Sequence, residues 1–201
     1  MLTSVIRPFT LFVIISCSIF AARSKNLKKT IIYSAAAQTG YIAFLITIKE
    51  TLGLVFNLLI FDGLNKIAMF TITTILSDND FNFDFKKIKL IEQSYLTKIL
   101  IVLALIYSSG FPLTSLFIVK IEIYKIIVEE ILWIEFVTII LSSALSIFYH
   151  LKICLSFFFI SNINGTIKIN KINYGLISII VLQIVSLIFI NSLFTISNQL
   201  N

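Results

Sequence analysis

Apolar residues run along this chain in long blocks, and the polar residues are gathered into short gaps between them. At the roughly 20 residues a bilayer requires, the blocks predict six membrane-spanning helices, at about 2–22, 30–48, 52–76, 94–130, 132–160 and 174–196. The expected fold class is therefore all-α, a polytopic bundle forming one membrane domain over residues 1–201. Pro8 falls in the opening turns of the first helix, where a missing N–H is tolerated. The fourth block is too long for one straight span. Gly110-Phe111-Pro112 divides it into two half-helices, a break that hydrocarbon tolerates only where protein or a water-filled cavity satisfies the freed backbone groups.

Composition narrows the class. Hydrophobic residues make up 58% and charged residues 13% of the chain, with a mean hydropathy of +1.02. These values exclude a soluble globular domain and a disordered chain. No cleavable signal peptide is expected, because the apolar stretch after Arg7 is long enough to span and ends in Arg23-Ser24-Lys25. A net charge of +6 would suit nucleic acid, but the cations cluster between apolar segments, which topology explains better. One set of alternate loops holds Arg23, Lys25, Lys28 and Lys29, then Lys86, Lys87 and Lys89, then Lys168 and Lys171; the other set holds little beyond Arg7 and Lys49. By the positive-inside rule the first set faces the cytoplasm or mitochondrial matrix, which puts both termini on the opposite, intermembrane-space side. The high share of Ile, Phe, Asn and Lys fits an AT-biased, for instance organellar, coding sequence.

Against this background each intramembrane charge asks for a task or a partner. Lys120 lies eight positions after Pro112, roughly 12 Å along a helix axis at about 1.5 Å per residue. A broken helix with one ionisable group at mid-depth is how transport proteins build an ion or proton site. The functional reading of Lys120 is an amine that loses and regains a proton in low dielectric; the bland one is a lysine that snorkels or pairs with Glu122. Asp62 and Lys66 stand one turn apart, as a self-neutralising pair or a proton relay, and Asn57 and Asn65 extend either role through interhelical hydrogen bonds. His150 and Lys152 lie deep in the fifth block; the histidine suits a polar track shared with Lys120, and Lys152 lies nearer the basic face. Tyr33, Ser34, Gln38 and Tyr41 form a polar stripe at turn spacing. Glu129, Glu130 and Glu135 straddle a turn and read as interfacial. Cys17 and Cys154 give no metal spacing, and no motif for nucleotide, flavin, iron–sulfur cluster or haem is found, so redox chemistry is expected on other chains.

Three motifs carry a resemblance. Gly110-Phe111-Pro112-Leu113-Thr114-Ser115-Leu116-Phe117-Ile118-Val119-Lys120 resembles the G-I-P-P-T-A-G-F-F-A-K segment of antiporter-like subunits of respiratory complex I. Asn26-Leu27-Lys28-Lys29-Thr30-Ile31-Ile32-Tyr33-Ser34, continuing to Gln38-Thr39-Gly40-Tyr41, resembles their N-L-K-R-L-L-A-Y-S-S…Q-x-G-Y stretch. Ser146-Ile147-Phe148-Tyr149-His150-Leu151-Lys152 is similar to the S-x-Y-Y-Y-L-R pattern of NADH–ubiquinone oxidoreductase chain 2. The resemblance implies the last six helices of a fold of inverted repeats, with the family's central lysine at Lys120. It also implies a split subunit, whose first broken helix belongs to a separate chain, and further partners among complex I membrane-arm subunits and lipid. Leu113 and Leu116 depart from the family's Pro and Gly, while Glu122 is similar to the chain 5 type. The alternatives are a monovalent cation/proton antiporter subunit and a non-conducting scaffold of the membrane arm.

Overall fold

The computed structural model describes residues 2–48, 52–76, 91–93, 95–112, 114–158, 167–169, 177–178, 180–182 and 185. Six helices order the described chain: α1 (Leu2–Arg23), α2 (Leu27–Ile46), α3 (Leu52–Leu76), α4 (Tyr95–Ser109), α5 (Ser115–Glu129) and α6 (Trp133–Phe158). Three of them are long and apolar enough to cross a membrane, over Val5–Arg23, Leu52–Thr74 and Trp133–Ser156, and α4 adds a shorter apolar stretch, Lys98–Ser109. Of the sixth expected span, the described residues 177, 178, 180–182 and 185 are helical and the rest lies outside the described residues.

The all-α expectation needs one amendment. Two three-residue strands, β1 (Ile91–Gln93) and β2 (Ile167–Ile169), pair in parallel. Each belongs to a polar connection read as loop; bringing both connections to one end of the bundle lets their backbones satisfy each other, which hydropathy cannot foresee.

The first two helices form a tight hairpin. Asn26 caps α2 from extended backbone (φ −103°, ψ 127°), its side chain accepting from the Lys29 amide at 3.3 Å. That cap starts α2 at Leu27, so Lys28 and Lys29 lie in its first turn rather than in a loop. At the far end the Arg7 guanidinium donates to the Thr47 carbonyl at 3.2 Å. Between them Gly40 lets the helices close, since an added Cβ there would stand 2.8 Å from Ile14 Cγ1. Pro8 lies within α1, one turn further in than its expected tolerance at the start.

Packing divides the interior into two apolar clusters. One joins Leu27 and Ile31 of α2, Ala68, Met69 and Ile72 of α3, Ile101, Ala104 and Leu105 of α4, and Ile153 of α6. The other joins α1, α2, Leu54 to Phe61 of α3, and Leu116, Val119, Ile123 and Ile127 of α5. The outward faces are apolar as well, with Phe9, Phe12, Phe20, Ile134, Phe148 and Leu155 among the exposed side chains, as a lipid-facing surface requires. Glu129 and Glu130 are exposed at the α5–α6 turn, as expected for interfacial carboxylates.

Candidate functional site at the helix break

The long fourth block is broken where Gly110 and Pro112 predict. Gly110 closes α4 with φ +70°, a left-handed conformation that suits glycine. Thr114 then opens α5 from extended backbone (φ −102°, ψ 154°), its hydroxyl accepting from the Phe117 amide at 3.3 Å. Leu113 lies outside the described residues. A break at this depth leaves orphan carbonyls, and α6 supplies a donor: Ser146 Oγ hydrogen-bonds the Ser109 carbonyl at 3.3 Å.

Lys120 sits beside this break, 3% exposed. Its ammonium closes on the bare Cα of Gly110, where an added Cβ would stand 2.9 Å from Nζ and 3.4 Å from Cε. Nζ also lies 5.8 Å from the ring centroid of Tyr41, within cation–π range. The pairing with Glu122 is not made, because Glu122 reaches Lys125 on the exposed face at 2.7 Å. Two positions along a helix turn a side chain about 200° away, which is why the neighbour in sequence is not the neighbour in space.

Beside the lysine, a partly open hollow of about 320 Å³ is lined by Ser34, Gln38, Asp62, Asn65, Lys66 and His150, with Ser108 and Tyr149. Asp62 and Lys66 pair at 2.5 Å across one turn of α3, the carboxylate side chain 5% exposed and the lysine 28%. The charges of Asp62 and Lys120 also act on one another. Gln38 Oε1 is buried and finds no partner among the described residues. His150 Nδ1 stands 2.8 Å from the Ser146 carbonyl. A carbonyl only accepts, so in the neutral ring Nδ1 carries the hydrogen and Nε2 presents its lone pair. His150 lines a second, mostly apolar hollow of about 310 Å³ with Ser109, Phe111 and Cys154, and so bridges the hollow and the break.

The structure thus brings Lys120, Asp62, Lys66, His150, Ser34 and Gln38 to one polar layer where the two apolar clusters meet, with Tyr41, a member of the second cluster, at its edge. It separates three others. Lys152 turns to the end of α1, donating to the carbonyls of Ala22 and Ser24 at 3.1 and 2.9 Å. Tyr33 stacks against Phe20 of α1 at 5.6 Å. Asn57 is fully buried, yet neither amide atom has a hydrogen-bond partner among the described residues, so its expected interhelical bond is not made there. Sequence reasoning overlooked Ser18, Ser108, Ser109, Ser142, Ser143, Tyr124 and Tyr149. On α6 the signal existed: positions 142, 146, 149, 150 and 153 are buried and recur at helical spacing along one face. Among the described residues no group of three or more His, Cys, Asp or Glu is placed to hold a metal ion.

With this geometry in hand, similarity to other proteins is informative. Residues 3–146 match the family described as NADH:quinone oxidoreductase/Mrp antiporter, transmembrane. NADH-quinone oxidoreductase subunit N of Desulforamulus reducens is 26% identical over 145 residues, covering 70% of this chain and 30% of that protein. Among solved structures, the membrane-bound sulfane sulfur reductase, an archaeal respiratory membrane complex, superposes with a TM-score of 0.78 at 20% identity, over 98% of this chain and 42% of that one. The chain therefore spans less than half the length of either relative.

Proposed function

Because this chain belongs to the NADH:quinone oxidoreductase/Mrp antiporter transmembrane family, we propose that it is a membrane-arm subunit of a proton-pumping NADH:ubiquinone oxidoreductase, with Lys120 as the proton-exchanging group. The observation that carries the reading is a lysine 3% exposed, seated against the glycine of a helix break, beside a hollow that holds a carboxylate, a second lysine and a histidine. Burial makes the charged amine costly, and Asp62 offsets that cost. Any change in charge farther along the membrane arm therefore shifts the balance between charged and neutral amine. His150, with Nε2 as acceptor, would exchange protons with water in the hollow, and Asp62 with Lys66 would set the local field.

Redox groups, in this reading, sit on other chains; this one supplies membrane passage only. The motif ending in Tyr149-His150-Leu151-Lys152 favours the chain 2 type. The cation-rich end would face the matrix of a mitochondrion and the termini the intermembrane space. Lys152 at the end of α1 and the β1–β2 pairing of two polar connections support a common basic end.

The test is Lys120→Ala or Lys120→Met in the assembled complex, with protons translocated per electron as the readout. Translocation is expected to be lost; wild-type stoichiometry from a normally assembled variant would refute the reading. The family description also names Mrp antiporters, which supports a second reading as a cation/proton antiporter subunit. Iron–sulfur and flavin subunits purifying with the chain favour the oxidoreductase, and their absence with retained sodium–proton exchange favours the antiporter.

A further inference from the structure

Tyr41 is gripped by its hydroxyl. That group lies 3.1 Å from the Ile139 carbonyl, 3.0 Å from Ser142 Oγ and 3.2 Å from Ser143 Oγ. Ser142 Oγ meets Ser18 Oγ at 2.9 Å, and Ser18 donates to the Ile14 carbonyl at 2.7 Å. Tyr124 donates to Ser143 at 2.7 Å. One direction of donation satisfies every hydroxyl: Tyr124 to Ser143, Ser143 to Tyr41, Tyr41 to Ser142, Ser142 to Ser18, and Ser18 to a backbone carbonyl. The chain joins α1, α2, α5 and α6, and Tyr124 stands one turn beyond Lys120 on the same face of α5. A tyrosine fixed at its oxygen has little freedom to rotate or withdraw its ring. The face of that ring lies 5.8 Å from Lys120 Nζ, and an aromatic face attracts a desolvated ammonium more than it does a neutral amine.

We infer that Tyr41 is a positioning residue for Lys120: five linked hydroxyls lock its ring where the ring face steadies the charged amine at the helix break. The inference rests on the proton-exchanging role of Lys120 and deepens it, because it says what keeps the amine in place when Asp62 is engaged by Lys66. It also gives the serines of α6 a function beyond fastening helices.

The assembled complex carrying graded substitutions at position 41 tests it, with proton translocation and amount of assembled complex measured together. Tyr41→Leu keeps bulk and removes the ring face; translocation is expected to fall by about tenfold, the scale of a desolvated cation–π contact. Tyr41→Phe, which keeps the ring and loses the clamp, should fall between Tyr41→Leu and the unsubstituted chain, and translocation equal to the unsubstituted chain overturns the locking role of the hydroxyls. Replacing Tyr41 by phenylalanines of increasing fluorination weakens the ring face with little change of shape, and should lower the rate stepwise; this series decides the matter even if Tyr41→Leu fails to assemble. A rate independent of fluorination overturns the inference. If Lys120→Ala abolishes translocation while the series stays flat, only the Tyr41 inference falls. If Lys120→Ala translocates normally, the functional reading falls and this one with it.

Discussion

The basic end of the bundle and the layer at the helix break each hold a lysine from an apolar helix, and they treat it differently. Lys152 lies within about two turns of the end of α6. Its flexible stem reaches the last carbonyls of α1, at Ala22 and Ser24, where a cation meets both hydrogen-bond acceptors and the negative end of a helix dipole. Lys120 also lies by a helix C-terminus, that of α4 at Gly110, but there its ammonium is sealed from solvent, the residue being 3% exposed. It is shut between Gly110 and Tyr41, with Asp62 acting on it across the polar layer. The contrast shows that hydropathy alone does not set the surroundings of an intramembrane lysine; what matters is how deeply the ammonium is shut away and which groups enclose it.

That contrast can be broken in order of expected effect. Lys120→Met should abolish translocation, the largest change. Next comes Gly110→Ala, which forces a side chain to adopt φ +70° and drives a methyl into the space held by Nζ. The backbone strain alone is about 1–2 kcal/mol, and translocation should drop at least as far as assembly does, read by proton flux per assembled complex. Asp62→Asn should come third: it keeps the shape of the α3 site but removes the anion that pairs with Lys66 and whose charge acts on Lys120. Lys66 is over a quarter exposed, so the stability lost lies nearer a surface pair, at about 1 kcal/mol, than a sealed one. A double-mutant cycle with Lys66→Gln separates two roles. If the double variant regains both stability and pumping, the pair is only a fastener; stability without pumping assigns it to the path. Lys152→Gln should be mildest, with a loss of about 0.5–1 kcal/mol in helix-end stabilisation, seen as a lower melting temperature at unchanged pumping. Pumping lost on Lys152→Gln at full assembly would erase the distinction between the two regions.

Much of this was readable from residue order. The break at Gly110-Phe111-Pro112 and the central place of Lys120 follow from local chemistry, since glycine, proline and an isolated charge each have few tolerable settings in hydrocarbon. The Asp62–Lys66 pair follows from helical spacing in the same way. What the sequence hid was direction across helices. Tyr33 and Gln38 belong to one stripe by spacing, yet one faces Phe20 and the other the hollow, because two neighbouring helices divide the face between them. The serines of α6 were hidden for another reason. Serine is common in membrane helices as quiet packing, and only the facing Ser18, Tyr41 and Tyr124 turn Ser142 and Ser143 into a chain of hydroxyls. Strand pairing between distant connections leaves no periodic trace in segments of three residues.

The two halves of the broken helix pack into separate apolar clusters, α4 with Ile101, Ala104 and Leu105 in one and α5 with Leu116, Val119, Ile123 and Ile127 in the other. Three unbroken helices, α2, α3 and α6, thread both clusters, and Asp62 and Asn65 mark where α3 crosses from one to the other. Mechanically this is two oiled blocks pinned by three common rods, with a polar washer between them. The three rods hold the blocks in register, so the interrupted α4–α5 segment is where a rearrangement at Lys120 meets the least resistance.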